Sequence, residues 1–346
     1  MKAAQINRLI EDRMKGNPLY DELRAALERM REELAVMAKC AKAPMDADLA
    51  NILVGGGKRL RSTMAFLCYR MGGKRDMDII PLMCMLELMH TASLIHDDVV
   101  DGADTRRDIP TINSTKGNMA AVQSGDFLLA KAMELLHIYR GTGINEELAE
   151  VSYQMTMGEF RQQAMRYAFD TQSKASYFEL INKKTAALLA ASCYCGAVAG
   201  GMKHSSAAAL RRFGKEFGTA FQLRNDLLDY SDEAGKAPGQ DIQNGIFTLP
   251  VLELLEGGVP DEVRGLLQKR EKTEDEVLRL TEYVKSTGAP ARAGQTVSAQ
   301  SRAAARELRE LPSCPERKAL EQLAMSVANA RNRGDAYGSL SESGKR

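Results

Sequence analysis

The chain has 346 residues, and 47 lysines and arginines nearly balance 46 aspartates and glutamates, so its formal net charge is +1. This balance argues against a protein that binds nucleic acid through its overall charge. Hydrophobic residues make up 44% and charged residues 27%, which excludes a disordered or membrane-embedded chain. The start lacks the apolar core of a signal peptide, and the six cysteines form no CxxC pair. We therefore expect a cytoplasmic protein with reduced thiols and no transmembrane segment.

The predicted elements are all helices. No proline lies between Pro110 and Pro238, and helix-forming residues dominate this stretch. Apolar residues recur at helical spacing in five long segments, residues 21–42, 78–100, 125–139, 174–199 and 206–230. Glycine clusters separate the segments, which favours short connections between antiparallel helices. We predict one large all-α domain over residues 1–346 with a frayed tail at 338–346, and we expect His137 to be a packed core residue.

The first candidate site residues follow a glycine turn at residues 55–57. Backbone amides in such a turn can approach an anion, and Lys58 and Arg61 can share one face of the helix that follows. The turn lacks the spacing and the preceding strand of a P-loop. Taken alone, it is better explained as ordinary solvated charge.

Aspartates cluster at the end of segment 78–100. Asp97 and Asp101 are four residues apart on one helix face, whereas Asp98 lies about 100° away. Oxygen ligands directed at one point suit Mg²⁺, which typically binds one or two carboxylates together with substrate phosphates. The alternative is a solvated acidic helix end, although acidic residues there oppose the helix dipole.

Basic residues form the next group of candidates. Arg106 and Arg107 lie in a segment bounded by a glycine and a proline, which we predict to be a loop. Adjacent arginines can bind two different anions through bidentate hydrogen bonds. Lys184 and Thr185 begin an alanine-rich helix, and Lys236 lies in a glycine-containing loop.

A second acidic cluster ends segment 206–230. Asn225, Asp226 and Asp229 repeat the spacing of the first cluster, and Gln222 precedes them by about one helical turn. Two such helix ends can face each other across a bundle cavity, where helical proteins commonly build metal sites. With the basic residues, they predict a cavity for two polyphosphate groups, one bound through Mg²⁺ and one bound directly by cations.

In this order, the segments resemble the trans-polyprenyl diphosphate synthases, the head-to-tail chain-elongating isoprenoid synthases. The likeness covers about residues 51–250 and is carried by GGGKRLR, HTASLIHDDVVDGADTRRDIPT, GD at 125–126, GE at 158–159, KT at 184–185, FQLRNDLLD, GKAPGQD and TLP at 248–250. It implies a large all-α bundle around a deep central cavity, usually as a homodimer and in some members as a heteromer. It also implies Mg²⁺-dependent condensation of isopentenyl diphosphate with an allylic diphosphate such as farnesyl diphosphate.

The resemblance assigns roles by position. In the family the two aspartate-rich motifs hold three Mg²⁺ on the allylic diphosphate, and the matching residues here are Asp97, Asp101, Asn225, Asp226 and Asp229. The allylic site is matched by Arg106, Lys184, Gln222 and Lys236. The isopentenyl diphosphate pocket is matched by Lys58, Arg61, His90 and Arg107. The predicted catalytic set is Asp97, Asp98, Asp101, Lys184, Thr185, Gln222 and Asp226.

Two positions depart from the family pattern. Asn225 replaces the usual first aspartate of the second motif, which removes one negative charge but keeps an oxygen ligand. Ile246 replaces a lysine that many relatives carry, which leaves one cation fewer near the phosphates. We expect weaker metal affinity and lower efficiency, with the same reaction class.

Product length is predicted from the helix before Asp97. Ala92 and Ser93 lie one to one and a half turns upstream and are small, whereas aromatic residues at this level close the product tunnel in short-chain members of the family. Met89, on the next turn, is flexible and apolar. One helical turn is about as long as one extended isoprene unit, so we predict a medium- to long-chain product of about six to ten units.

Two other functions stay open at this stage. A class I terpene cyclase also ionises a diphosphate, and the pattern from Asn225 to Glu233 approaches the second metal motif of the cyclases. A cyclase, however, needs no second diphosphate pocket of the kind that GGGKRLR, His90 and Arg107 indicate. A regulatory subunit of a heteromeric synthase is the non-enzymatic alternative, but such subunits tend to lose the aspartates that this chain keeps.

Overall fold

The computed structural model describes residues 17–39, 46–55, 57, 59–106, 109–230 and 239–329. The predictions for Lys58, Arg107, Glu233, Lys236 and the tail at 338–346 fall outside the described residues.

The described chain is almost entirely helical. Its first helices are α1 (Pro18–Lys39), α2 (Asp46–Val54), α3 (Leu60–Gly72) and α4 (Ile80–Asp101). After the strands β1 (Thr105–Arg106) and β2 (Ile109–Pro110) come α5 (Ile112–Lys116), α6 (Asn118–Leu135), α7 (Ile144–Met165), α8 (Lys174–Ile181), α9 (Ala187–Ala199) and α10 (His204–Leu228). The last helices are α11 (Gln240–Gln243), α12 (Leu249–Glu256), α13 (Asp261–Gln268), α14 (Glu274–Ser286), α15 (Ala289–Glu307) and α16 (Pro315–Asn329).

The five predicted helical segments are confirmed, with two local corrections. The segment around Arg106 is a minimal antiparallel β-hairpin rather than a loop, with Arg106 opposite Ile109. His137 is exposed in a 3₁₀ turn (Leu136–Tyr139), so its assignment to the core is wrong. Once α6 ends, Tyr139 takes the buried position instead, where its hydroxyl accepts a hydrogen bond from the Leu82 amide and donates one to the Asp78 carbonyl, at 3.0 and 2.6 Å.

Three helices form the centre of the core. α4 is buried on every side from Leu82 to Met89, which is the pattern of a central helix. α9 packs between α3 and α10, and α10 also packs on α15. One continuous apolar cluster runs from Leu19 on α1 to Val327 on α16. Since α4 and α10 are fixed by this core, their C-terminal ends hold the two acidic clusters in place. No helix within the described ranges combines the length and the apolar composition needed to span a membrane.

Candidate active site

Asp97 lies on the last turn of α4 beside the amine of Lys184. The distance from Lys184 Nζ to Asp97 Oδ2 is 3.4 Å, and the Asp97 side chain is 19% exposed. Burial raises the pKa of Asp97 to about 6, while Lys184 opposes this rise and the like charges of Glu159 and Asp101 add to it. A partly buried carboxylate among other carboxylates favours a bound cation.

Lys184 occupies an unusual backbone conformation. Residues Asn182–Ala186 form a π turn between α8 and α9, so the predicted helix 174–199 is one rod with a bulge at the lysine. π turns of this kind are frequent at functional sites. Gly158 on α7 lies against this turn, because a Cβ atom there would come within 3.0 Å of the Lys184 amide nitrogen.

The close approach of α7 brings Glu159 to Lys184. Glu159 Oε2 is 2.5 Å from Lys184 Nζ. Burial opposes ionisation of Glu159, but the charge and hydrogen bond of Lys184 outweigh it and hold the pKa of Glu159 below its ordinary value. The ammonium group of Lys184 is therefore fixed between Glu159 and Asp97.

Each of the other two aspartates of the first cluster has an arginine. Asp98 is buried, and its Oδ1 accepts hydrogen bonds from Arg106 Nε and Nη2 at 2.7 and 2.6 Å. Asp101 Oδ1 is 3.0 Å from Nη2 of Arg166, the residue that follows α7. The structure thus links Arg106 to Asp98 and adds Arg166, a residue for which the sequence gives no signal.

The second cluster is organised around Asp226. One of its carboxylate oxygens accepts a hydrogen bond from the Tyr177 hydroxyl, and the other accepts one from Gln222 Nε2 at 2.8 Å. The Gln222 carbonyl oxygen in turn accepts a hydrogen bond from the Thr185 hydroxyl at 3.0 Å. Burial raises the pKa of Asp226 to about 6 against the opposing effect of both donors, and Asp229 adds to the rise. Through Thr185 and Gln222, the π turn is connected to the second cluster.

Asp241 on α11 is affected by the charges of both acidic clusters. Burial raises the pKa of Asp241 well above its ordinary value, and the charges of Asp229 and Asp226 raise it further. Asp101 of the first cluster contributes in the same direction. The acidic ends of α4 and α10 therefore both lie within electrostatic reach of Asp241.

The oxygen donors of this cavity fit Mg²⁺. Among the described residues, no three aspartate, glutamate, histidine or cysteine side chains converge closely enough to hold an ion by themselves. Carboxylates that supply one or two ligands beside substrate phosphates are the usual surroundings of Mg²⁺. Burial is the largest cause of the raised pKa values of Asp97 and Asp226, and a bound cation would favour their ionised forms.

The glycine turn is anchored by a buried ion pair. Arg59, one residue before α3, has a left-handed backbone with φ 43°. Its Nη1 is 2.9 Å from Oε2 of the buried Glu87, and Glu87 Oε1 accepts a hydrogen bond from the Ser62 hydroxyl at 2.7 Å. This pair fixes the start of α3, where Arg61 is half-buried, and His90 is half-buried on the adjacent α4.

The candidate chain-length residues line one stretch of α4. Ala92 and Met89 are buried, and Ser93 is half-buried with its hydroxyl bonded to the His90 carbonyl at 2.8 Å. They lie on the turns directly before Asp97, so the helix that carries the first acidic cluster continues straight into the apolar core.

Sequence reasoning missed several residues of the cavity. Glu159 and Asp241 lie within the GE and GKAPGQD motifs, so their acidic side chains were a usable signal. Arg166 and Tyr177 lie 65 and 49 residues from their partners along the chain, and no local pattern marks them.

Comparison with known proteins agrees with this geometry. Residues 44–284 match the polyprenyl synthetase family. Component 2 of the heptaprenyl diphosphate synthase of Geobacillus stearothermophilus is 36% identical over 246 residues, which are 70% of this chain and 76% of the relative. The nonaprenyl diphosphate synthase of Mycobacterium tuberculosis is 31% identical over 307 residues, which are 87% of this chain and 91% of the relative. The crystal structure of a Caulobacter crescentus polyprenyl synthase, complexed with calcium and isoprenyl diphosphate, has a TM-score of 0.74 and 33% identity and covers 94% of both chains.

The chain belongs to the polyprenyl synthetase family. It has the all-α fold of the isoprenoid synthases and is a trans-prenyltransferase of the polyprenyl diphosphate synthase type. Members of this family act on isoprenyl diphosphates and depend on Mg²⁺.

Proposed function

We propose that this chain condenses isopentenyl diphosphate with an allylic prenyl diphosphate, head to tail, to give a medium- or long-chain all-trans polyprenyl diphosphate. The observation that carries the proposal is the position of Lys184 between Asp97 at the end of α4 and Glu159 on α7, with Thr185 and Gln222 connecting the same turn to Asp226. Medium- and long-chain synthases among the relatives support the product class.

The cavity is suited to ionising an allylic diphosphate. Asp97, Asp101, Asn225, Asp226 and Asp229 would hold Mg²⁺, as many as three ions with substrate bound, and the metal would supply positive charge to the departing diphosphate. Lys184 supplies a fixed ammonium group, because Glu159 holds it in place before the substrate binds.

Thr185 and Gln222 would orient the reacting carbon chain. Their mutual hydrogen bond joins the π turn to Asp226, and a backbone carbonyl of the turn would stabilise a developing cation. The alkene of isopentenyl diphosphate then attacks the allylic carbon and a proton is lost. Among the described residues around the cavity, no side chain is an obvious base, so the departed diphosphate is the proposed proton acceptor.

Product analysis tests this function. The purified chain is incubated with Mg²⁺, labelled isopentenyl diphosphate and farnesyl diphosphate, and the products are sized. Extension to about six to ten isoprene units is the expected result, with one helical turn of tunnel for each unit. A cyclic product without incorporated isopentenyl label would instead identify a terpene cyclase, and no product would favour a regulatory subunit.

We further propose that the chain assembles as a homodimer or with a related second subunit. Exposed apolar side chains recur on α6 (Met119, Val122 and Met133) and on α7 (Tyr153 and Phe160). Seven-residue spacing places Tyr153 and Phe160 on one helix face, where a partner could cover them. Sedimentation of the wild-type chain and of Phe160→Glu tests this, because a dimer held by this face should dissociate in the variant.

Two more general proposals follow from the same residues. We propose that residues 1–346 form one polyprenyl synthase domain, which is supported by the continuous core from Leu19 to Val327.

We also propose a cytoplasmic location. It is supported by five free cysteines within the described ranges, Cys68, Cys84, Cys193, Cys195 and Cys314, which suit a reducing compartment.

A further inference from the structure

Arg166 forms an ion pair with Asp101 at the cavity, and its backbone is held rigidly. Its amide donates hydrogen bonds to the Gln162 and Gln163 carbonyls, which end α7. The next residue, Tyr167, has a left-handed backbone with φ 57°, and its amide bonds to the Gly245 carbonyl at 3.0 Å. Strained residues of this kind persist where the surroundings fix them, and they cluster at functional sites.

Gln172 and Gly245 are attached to the same end of α7. Gln172 donates hydrogen bonds to the Met165 and Gly245 carbonyls at 2.9 and 3.2 Å. Gly245 has φ +69°, and a Cβ atom there would come within 2.4 Å of the Tyr167 ring. These contacts join the end of α7 to the loop before α12, so Arg166 has a defined place in the wall of the cavity.

Only some of the hydrogen-bond donors of the Arg166 guanidinium group have a partner within the described ranges. Nη2 is 3.0 Å from Asp101 Oδ1, Nη1 is 3.3 Å from Gln163 Oε1, and the side chain is 18% exposed. Nε is buried and has no hydrogen-bond partner among the described residues. An arginine that contacts a carboxylate through one nitrogen keeps donors for a second anion.

Arg166 lines a crevice that is partly apolar. A crevice lined by Gln162, Arg166, Tyr177 and Ile246 lies at the end of α7. Tyr177 at this crevice is the hydrogen-bond donor to Asp226, whereas Arg166 itself contacts Asp101. Arg166 therefore contacts the first cluster through Asp101 and shares a crevice with Tyr177, which contacts the second cluster through Asp226.

We propose that Arg166 is a diphosphate-binding residue that also holds Asp101 while the site is empty. When Asp101 takes up Mg²⁺, two cations compete for one carboxylate, and the guanidinium group of Arg166 moves to the oxygens of the metal-bound diphosphate. This inference rests on the proposed Mg²⁺ site at Asp101. It assigns to Arg166 two successive anionic partners in the same cavity, first Asp101 and then the diphosphate.

The test measures two binding constants by isothermal titration calorimetry on the full chain. Arg166→Gln should bind Mg²⁺ alone roughly threefold more tightly, because a competing cation has left Asp101. With Mg²⁺ saturating, the same variant should bind inorganic diphosphate roughly tenfold more weakly, because a charge-assisted hydrogen bond is lost. Arg166→Lys keeps the charge but not the fork of donors, and it should weaken diphosphate binding only by roughly threefold.

A matched control separates this role from a structural one. Arg161 lies on α7, five residues before Arg166, and pairs with Glu179 at 2.8 Å, so Arg161→Gln should leave both constants unchanged. Constants that stay unchanged in Arg166→Gln, or that both weaken, would overturn the proposal. If Asp101→Asn binds Mg²⁺ as the wild type does, the proposed metal site itself fails, and this result is distinguishable because it does not involve Arg166.

Discussion

Replacing Asp97 with asparagine should stabilise the metal-free protein while it destroys activity. Burial raises the pKa of Asp97 from 3.8 to about 6, so the ionised carboxylate is unfavourable in the folded state. A rise of this size corresponds to roughly 3 kcal/mol when the group is fully ionised. This cost already includes the favourable charge of Lys184, 3.4 Å away; asparagine removes the cost, but its own polar amide is still buried. We expect a net gain of about 1–2 kcal/mol at pH 7.5.

The sign of the pH dependence follows from the direction of the shift. A carboxyl group whose pKa is higher in the folded state stabilises the fold while it is protonated, and this contribution is lost as the pH rises through about 6. The advantage of Asp97→Asn should therefore be about half its full size at about pH 5 and complete at about pH 7.5. For a chain of this length, it corresponds to a rise in Tm of roughly 2 °C.

Scanning calorimetry in a chelating buffer at both pH values measures this difference. Asp76 is exposed, so Asp76→Asn is a matched control that should not alter the pH dependence. In the presence of Mg²⁺ and both diphosphates, Asp97→Asn should lose at least roughly a hundredfold in kcat/KM. A variant that is no more stable than the wild type at pH 7.5, or that is equally stabilised at both pH values, would refute the electrostatic argument. Unchanged turnover would refute the assignment of Asp97 to the active site.

Three further substitutions test the surroundings of the cavity. Arg59→Ala leaves the buried Glu87 without its charge partner and should lower Tm by roughly 5 °C in calorimetry. Adding Glu87→Gln to this variant should recover part of the loss. An unchanged Tm in Arg59→Ala would contradict the role of the ion pair. Gly158→Ala places a methyl group 3.0 Å from the Lys184 amide and should lower kcat roughly tenfold in a steady-state assay, whereas Gly265→Ala, where nothing lies within 4 Å, is its control. Ala92→Phe introduces an aromatic side chain at a buried position of α4 and should shorten the product by about one isoprene unit or more; an unchanged product length on sizing would exclude Ala92 from the tunnel wall.

Local sequence patterns were enough to predict the helices and the acidic residues at the ends of α4 and α10, but not Glu159, Asp241, Arg166 or Tyr177. The apolar spacing of α4 and α10 continues to the acidic residues at their ends, so the pattern alone assigns Asp97, Asp101 and Asp226 to helix termini. Their matching spacing also predicts that the two ends can face each other, since isolated acidic helix ends oppose the helix dipole.

Contacts between distant segments account for what the sequence did not predict. The π turn at Lys184 depends on Gly158 of α7, and residues 182–186 read as ordinary helix. Arg166 reaches Asp101 only because Tyr167 and Gly245 fix the end of α7. His137 was misplaced because a 3₁₀ turn has a different period from an α-helix, so the buried position falls on Tyr139.

A contact between distant segments also changes the interpretation of Asn225. By sequence, this asparagine leaves the second motif one carboxylate short and predicts weaker metal binding. In the structure, however, Asp241 lies within the second cluster, where its pKa is raised first by burial and then by Asp229 and Asp226. Two carboxyl groups, Asp226 and Asp241, already have raised pKa values there, so a further aspartate at position 225 would add repulsion to a cluster that has three acidic side chains without it. We therefore expect Asn225 to cost less metal affinity than the motif alone predicts, because Asp241 adds a carboxyl group from outside α10.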